Sequence, residues 1–405
     1  MGSQKVWIFI YSFLYLFFIA LFLHLVYLYI ISHTLSLNHQ KIRLKKHPDF
    51  PLRFSYDGTF KILQVADMHY GNGLMSRCRD VLEAEFEKCS DINTTLFLRR
   101  LIEVEKPDFV AFTGDNIFGT SSTDAAESLF EAFRPVLESG IPWAAVLGNH
   151  DQESTMTREE LMSFLSLMDY SLSQTFPSVE TTTTTDSANN HSMMMDIDGY
   201  GNYNLRVLGA PGSPFANSSV FNLYFLDSGD RATVNGIRTY GWIKESQLNW
   251  LRGVSNRFKA QKQVDAASNT QPTALVFFHI PIPEIRQGPI KEIVGTYSEY
   301  VACSSVNSGV LKTLTSLEDV KAVFVGHDHT NDFCGKLDGL WFCYGGGSGY
   351  HGYGKAGWPR RARVILAELG KGDNAWTVVE RIKTWKRLDD EKLSKIDEQV
   401  LWYSH

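Results

Sequence analysis

From residue 60 onward, short apolar runs recur, separated by loops and by stretches with helical spacing. The runs at 60–66, 109–113, 143–147, 221–227, 273–278, 322–325 and 340–344 have the length of buried strands. Helix-like segments lie between them at 93–105, 125–138, 159–168 and 245–258. Strands alternating with helices predict an α/β fold. Two later runs, 364–369 and 376–382, read as a closing hairpin.

Two regions depart from this rhythm. Residues 6–31 carry no formal charge, apart from His24, and are long enough to span a bilayer. The run is a signal peptide or an uncleaved anchor, and the choice stays open, since no short apolar core with a small-residue cleavage site stands out. Lys41, Arg43, Lys45 and Lys46 come after it, a bias that argues mildly against translocation of the next segment. Residues 32–57 read as a linker. The domain itself is expected at 58–385, with a C-terminal tail at 386–405 whose acidic stretch, Asp389 to Glu391, reads as a solvated helix face. Residues 171–216 are rich in Thr, Ser, Asn and Gly and predict a mobile surface insertion.

Composition changes this picture little. The 405 residues are 44% apolar and 21% charged, the balance of a globular protein with a sizeable core. The net charge of −6 offers no basic excess for nucleic acid. Sequons at Asn93, Asn190 and Asn217 favour glycosylation and a lumenal or extracellular location in the secretory pathway. The cysteines, Cys78, Cys89, Cys303, Cys334 and Cys343, allow two disulfides and a free thiol, with the pairing undetermined. Cys334 and Cys343 either bridge a hairpin or remain reduced in the core.

The chemistry sits at the ends of the strands. Asp67 and His69 come after the first run, two apart and so on one face of an extended chain. Asp115 comes after the second, next to Gly114. Asn149, His150 and Asp151 come after the third. His279 directly succeeds the run at 273–278, and His327 and His329 succeed the run at 322–325. Singly, each has an ordinary explanation: an Asp after a strand usually caps a helix or a turn, and a lone His is usually a satisfied polar residue. Five such blocks in one chain are another matter, because the carboxyl ends of strands in an α/β sheet converge on one crevice. Carboxylates, imidazoles and an amide suit Fe, Mn or Zn, and their number suits two ions.

In order and spacing these blocks resemble the signature of the calcineurin-like metallophosphoesterases over about residues 60–350. Within that superfamily the chain is similar to plant purple acid phosphatases labelled probable inactive, which lack an N-terminal fibronectin-like domain. The resemblance implies a four-layer α/β/β/α sandwich with two mixed sheets. It implies one metal on Asp67, His69, Asp115 and His329, and a second on Asp115, Asn149, His279 and His327, with Asp115 as the bridge. His150 would touch a phosphate oxygen or the leaving group, with Asn149 beside it, and Asp151 would orient the imidazole. The implied cofactors are two divalent or mixed-valence ions, Fe with Zn or Mn. The implied partner is a phosphorylated small molecule or phosphoprotein, and the reaction is hydrolysis of a phosphate monoester by metal-activated water. A diesterase, or a non-catalytic fold that binds a phosphorylated partner, is the alternative.

Two departures stand out. Phe118 occupies the position of the metal-binding tyrosine of the purple enzymes, and His69 stands where they have a non-ligand residue. No histidine lies between His279 of the fourth block and His327; Tyr297, Glu299 and Tyr300 are candidates for its place near substrate, as is His351 in the Gly-rich stretch after the run at 340–344. His191, Trp242 and Trp250 read as surface or core residues without a functional role.

Overall fold

The computed structural model describes residues 2–37, 45–178, 196–264, 273–373 and 375–404. The chain forms two units, residues 1–45 and 46–405. The first holds α1 (Gly2–Leu37), whose segment Ile10–Tyr29 is long and apolar enough to cross a membrane.

The second unit begins with β1 (Thr59–Val65), α2 (Glu83–Phe86), α3 (Asp91–Glu105), β2 (Phe109–Thr113), α4 (Ala125–Ser139), β3 (Trp143–Val146) and α5 (Arg158–Leu167). It continues with β4 (Tyr203–Leu208), β5 (Ser219–Phe225), β6 (Arg231–Val234), β7 (Ile237–Tyr240), α6 (Glu245–Val264), β8 (Thr273–Phe277) and α7 (Pro283–Gln287). Then come β9 (Lys291–Val294), α8 (Val310–Leu317), β10 (Val320–Val325), β11 (Cys334–Leu337), β12 (Leu340–Tyr344), β13 (Arg361–Lys371), β14 (Trp376–Leu388) and β15 (Lys395–Tyr403). One mixed sheet runs β15-β14-β13-β1-β2-β3 and another runs β4-β5-β8-β10-β12-β11-β9. β1, β2 and β3 are mutually parallel, as are β5, β8, β10 and β12, and antiparallel strands flank both sets.

Side-chain alternation along the strands builds the layers. On β8, Leu275 and Phe277 enter the core shared by the two sheets, while Ala274 and Val276 join a second cluster with Leu248 and Leu251 of α6 and Leu314 of α8. On β2, Phe109 meets Phe225 of the opposite sheet at 6.3 Å, and Phe112 meets Phe133 of α4 at 4.3 Å. The order is therefore helix, sheet, sheet, helix. Gln64 crosses between the sheets, its amide donating to Thr113 Oγ1 and to the Val325 carbonyl at 3.1 and 3.0 Å. Strands of both sheets thus finish at the same edge.

Three expectations change. Leu52 and Phe54, placed by sequence in a linker at 32–57, are buried, and the Phe54 N–H donates to the Leu208 carbonyl at 2.9 Å. The insertion expected at 171–216 is folded at both ends: Leu172 N–H donates to the Trp143 carbonyl, and residues 203–208 form β4. Its middle, 179–195, with Asn190 and His191, lies outside the described residues. The expected tail at 386–405 is strand β15, paired along β14, with Leu401 buried. Its alternating polar residues belong to a half-exposed edge strand, which resembles a solvated segment when read alone. Asp389 is in the bend before it rather than on a helix, paired with Arg100 at 2.7 Å. Cys334 faces Cys343 across β11 and β12 and is bridged to it, while Cys78 is bridged to Cys89.

Candidate metal centre

The loops after β1, β2, β3, β8 and β10 meet at one point. Their ligand residues form two buried groups, Asp67 with His69 and His329, and Asp115 with His279 and His327. Asp115 lies between the groups. Its Oδ2 is 3.4 Å from His69 Nε2 and 3.2 Å from His279 Nε2. Asn149 Oδ1 joins the second group, 3.3 Å from His279 Nε2.

Backbone geometry aims these side chains. Asp67, His69, Asp115 and His327 all have positive φ, at 54°, 45°, 46° and 78°. Non-glycine residues rarely hold such a conformation, and it costs of order 1 kcal/mol or more each. Cross-links between the loops hold them there. Asp67 N–H donates to the Gly114 carbonyl and His69 N–H to the Asp115 carbonyl. His327 N–H donates to the Asp67 carboxylate at 3.0 Å, and His150 N–H to Asp115 Oδ1 at 2.8 Å. Gly148 lets Asp115 approach, since a Cβ there would overlap the carboxylate.

The donor set fits cations. His279 Nδ1 donates to the Thr113 carbonyl at 2.9 Å and His329 Nδ1 to the Tyr353 carbonyl at 2.7 Å. The neutral His329 ring then turns its Nε2 lone pair inward, the arrangement that orients a metal-binding imidazole, and His279 would do the same once its second proton is displaced. His329 Nε2 faces His69 Nε2 at 2.9 Å, and His327 Nε2 finds no hydrogen-bond partner among the described residues. Acceptors converge without enough donors, which is what a pair of positive ions satisfies.

The charges agree. Burial pushes the His69, His327 and His329 rings below the ordinary imidazole range, His329 to about 3, keeping them neutral. Burial pushes Asp67 well up, while for Asp115 the neighbouring His279 and His69 outweigh burial and hold it well below the usual carboxylate range. His279 is the exception: burial lowers it, but Asp115 and Asp67 lift it to about 9. Its proton stands where cationic charge belongs between two carboxylates, and a metal would displace it.

A cavity of about 290 Å³ opens on the centre, lined by His69, Asp115, His150, His327 and His329, with Arg79, Phe118, Tyr240, Glu299 and Tyr353 among its other walls. The sequence places Asp151 as the group that orients His150. The structure gives that contact to Glu153, whose Oε2 accepts from His150 Nδ1 at 2.7 Å. Asp151 instead accepts from Gly148 and Ile117 N–H at 2.7 and 3.0 Å, bracing the loops after β2 and β3. Arg231 also lies against His150, its guanidinium 3.3 Å from Nε2 and hydrogen-bonded to the Asn149 carbonyl. Tyr353 stacks on His329 at 3.8 Å. Only the three-residue spacing of Glu153 from His150 was visible in the chain; Arg79, Arg231 and Tyr353 carry no such signal.

Among the weaker candidates, Glu299 and Tyr300 line the cavity, while Tyr297 stacks on Phe333. His351 is engaged by the Arg77 carbonyl and Ser121 Oγ. Phe118 packs between His69 and His150, with ring centroids 5.2 and 4.9 Å away. Asn93 is in the first turn of α3, where its Oδ1 accepts from Ser90 N–H and Thr95 is buried, so it is not the surface-loop acceptor expected. Asn217 is exposed in a turn.

With this site on the upper edge of two mixed sheets, the chain is a metallophosphoesterase by architecture. It belongs to the calcineurin-like phosphoesterase family, whose model matches residues 60–331. It is 63% identical to probable inactive purple acid phosphatase 28 of Arabidopsis thaliana over 92% of this chain and 91% of that one. It is 51% identical to probable inactive purple acid phosphatase 29 of the same plant, over 87% and 88%. Phosphatase DCR2 of Saccharomyces cerevisiae is 36% identical over 85% of this chain and 56% of its own length.

Proposed function

We propose that the protein is a dinuclear metallophosphatase that hydrolyses phosphate monoesters, with water as the nucleophile. The observation that carries this reading is the position of Asp115 Oδ2 between two complete ligand groups. Asp67, His69 and His329 would hold one cation, Asn149, His279 and His327 the other, with Asp115 shared. Fe with Zn or Mn suits this mixture of carboxylate, imidazole and amide donors. Bound there, the pair would supply Lewis acidity to water and to the phosphoryl oxygens.

The chain's own groups complete the chemistry. His150 stands at the cavity wall beside both groups. Glu153 takes its Nδ1, which leaves Nε2 to exchange a proton with the leaving oxygen. Arg231 and the Asn149 amide offer donors to the phosphate. Phe118 cannot ligate iron, so an iron-loaded sample should lack a visible tyrosinate band.

The Arabidopsis relatives are named probable inactive, which supports a second reading, a fold that binds phosphorylated ligands without turnover. One experiment separates the two. Metal-reconstituted protein is assayed on generic phosphomonoesters and diesters, with metal content measured in parallel. His150→Ala should retain metal and lose about 10²- to 10⁴-fold in kcat. Asp115→Ala should lose both metal and turnover. Full activity in both variants would sink the site; two bound metals without turnover in the wild type would favour the second reading.

The described helix α1, two disulfides and an exposed sequon at Asn217 together support a secretory-pathway location with the catalytic unit lumenal or extracellular.

A further inference from the structure

Arg79 enters the cavity wall from an unusual support. It comes directly after Cys78, which is bridged to Cys89. Its N–H donates to the Tyr350 carbonyl at 2.8 Å, and its own carbonyl accepts from Arg360 at 2.7 Å. On one side the Arg77 carbonyl is tied to His351 Nδ1 at 2.6 Å. On the other, Asp80 sits at φ 48° and accepts from Gly354 N–H at 3.0 Å. The backbone is thus held from both sides, and a disulfide closes the loop.

The side chain so placed is exposed and unneutralised. Its guanidinium lies 4.8 Å from the centre of the Phe118 ring. Among the described residues it makes no ion pair or side-chain hydrogen bond. Arg231, by contrast, is paired with Glu153 and lies near Asp230. Glu299 also lines the cavity, its carboxylate held by Thr330 N–H and Tyr353 Oη. Arg79 is thus a cationic lining group whose charge is not taken up by that carboxylate. Phe118 in turn lies 5.2 Å from His69, so the free cation is one ring beyond the metal-binding groups.

We propose that Arg79 is a specificity-determining residue that binds a second anionic group of a compact phosphomonoester, a carboxylate or a further phosphate. This rests on the phosphatase reading for its kinetic arm only. Phe118 forms the floor on which the guanidinium stacks, and the disulfide loop fixes the backbone from which it reaches.

The test compares matched substrates and ligands. For turnover, wild-type, Arg79→Ala and Arg79→Lys proteins are assayed on glycerol 3-phosphate and on 3-phosphoglycerate, which replaces a hydroxymethyl by a carboxylate. For binding, inorganic phosphate and pyrophosphate are titrated calorimetrically into the same metal-loaded proteins. Arg79→Ala should lose about tenfold for 3-phosphoglycerate, through KM, and about tenfold for pyrophosphate, with less than about twofold change for the partners that carry one anionic group. Arg79→Lys should recover most of the loss. Equal effects on both members of each pair would overturn the assignment. If the wild type turns over neither ester, its turnover of generic phosphomonoesters decides the phosphatase reading, and the pyrophosphate titration decides the role of Arg79.

Discussion

At the residue scale, burial decides chemistry. Asp91 begins α3, where the helix dipole ordinarily favours a charged carboxylate. Here it is buried, with one oxygen accepting from Gly71 N–H. Burial outweighs its hydrogen bonds with Gly71, Ser76 and Gly73 and pushes it up to about 7. The folded protein therefore keeps a proton that the unfolded chain releases near pH 4. Across about pH 4 to 7 this group makes stability fall as pH rises, and above about 7 its effect is constant. Asp91→Asn should remove that slope. Denaturant midpoints of the two proteins across this range check it, and parallel curves would contradict it. Other single residues were legible from the chain. The grouping of Asp67, Asp115, His279, His327 and His329 could be read because each succeeds an apolar run. The partner of His150 could not, because Asp151 and Glu153 are both acidic and near it, and only the turn after β3 selects Glu153.

At the element scale, the loop between Cys78 and Cys89 is the sharpest case. It contains only the short helix α2 and exposes Leu82 and Phe86, so little apolar burial holds it. Its order relies on the disulfide and on bonds to the 350–354 segment. Replacing both Cys78 and Cys89 by Ser should cost about 2–4 kcal/mol, measured by chemical denaturation under non-reducing conditions. An unchanged midpoint would show that the segment at 350–354 suffices. The strands that line the core were predictable for a different reason. Buried parallel strands are nearly continuous apolar runs. The elements not anticipated, β4, β6, β7, β9, β11, β15, α2, α7 and α8, are mostly edges, short hairpins or short helices, in which that pattern is weak.

At the scale of the whole molecule, β15 converts an expected tail into part of the architecture. It covers the edge of β14 and brings Asp397 to Lys386, a fully buried lysine held by Asp332 and Asp397 at 2.6 Å each. Asp332 also pairs with Arg361 and lies three residues past His329, so the C-terminal strands brace a metal-ligand loop. A chain ending at Leu388 should leave Lys386 half-paired and the β14 edge open, with lower thermal stability, loss of soluble yield and weakened metal content. Normal folding and metal binding by that truncation would restore the tail reading.

The sequence by itself determined the α/β class, the strands of the core and the residue types at the metal centre. These depend on local periodicity and on the few residues directly after each strand. Only the tertiary structure decided which oxygen lies between the ligand groups, that Glu153 rather than Asp151 touches His150, that Arg79 reaches the cavity and that Arg231 lies against His150. Those facts depend on contacts between distant loops, and spacing along a chain carries no record of them.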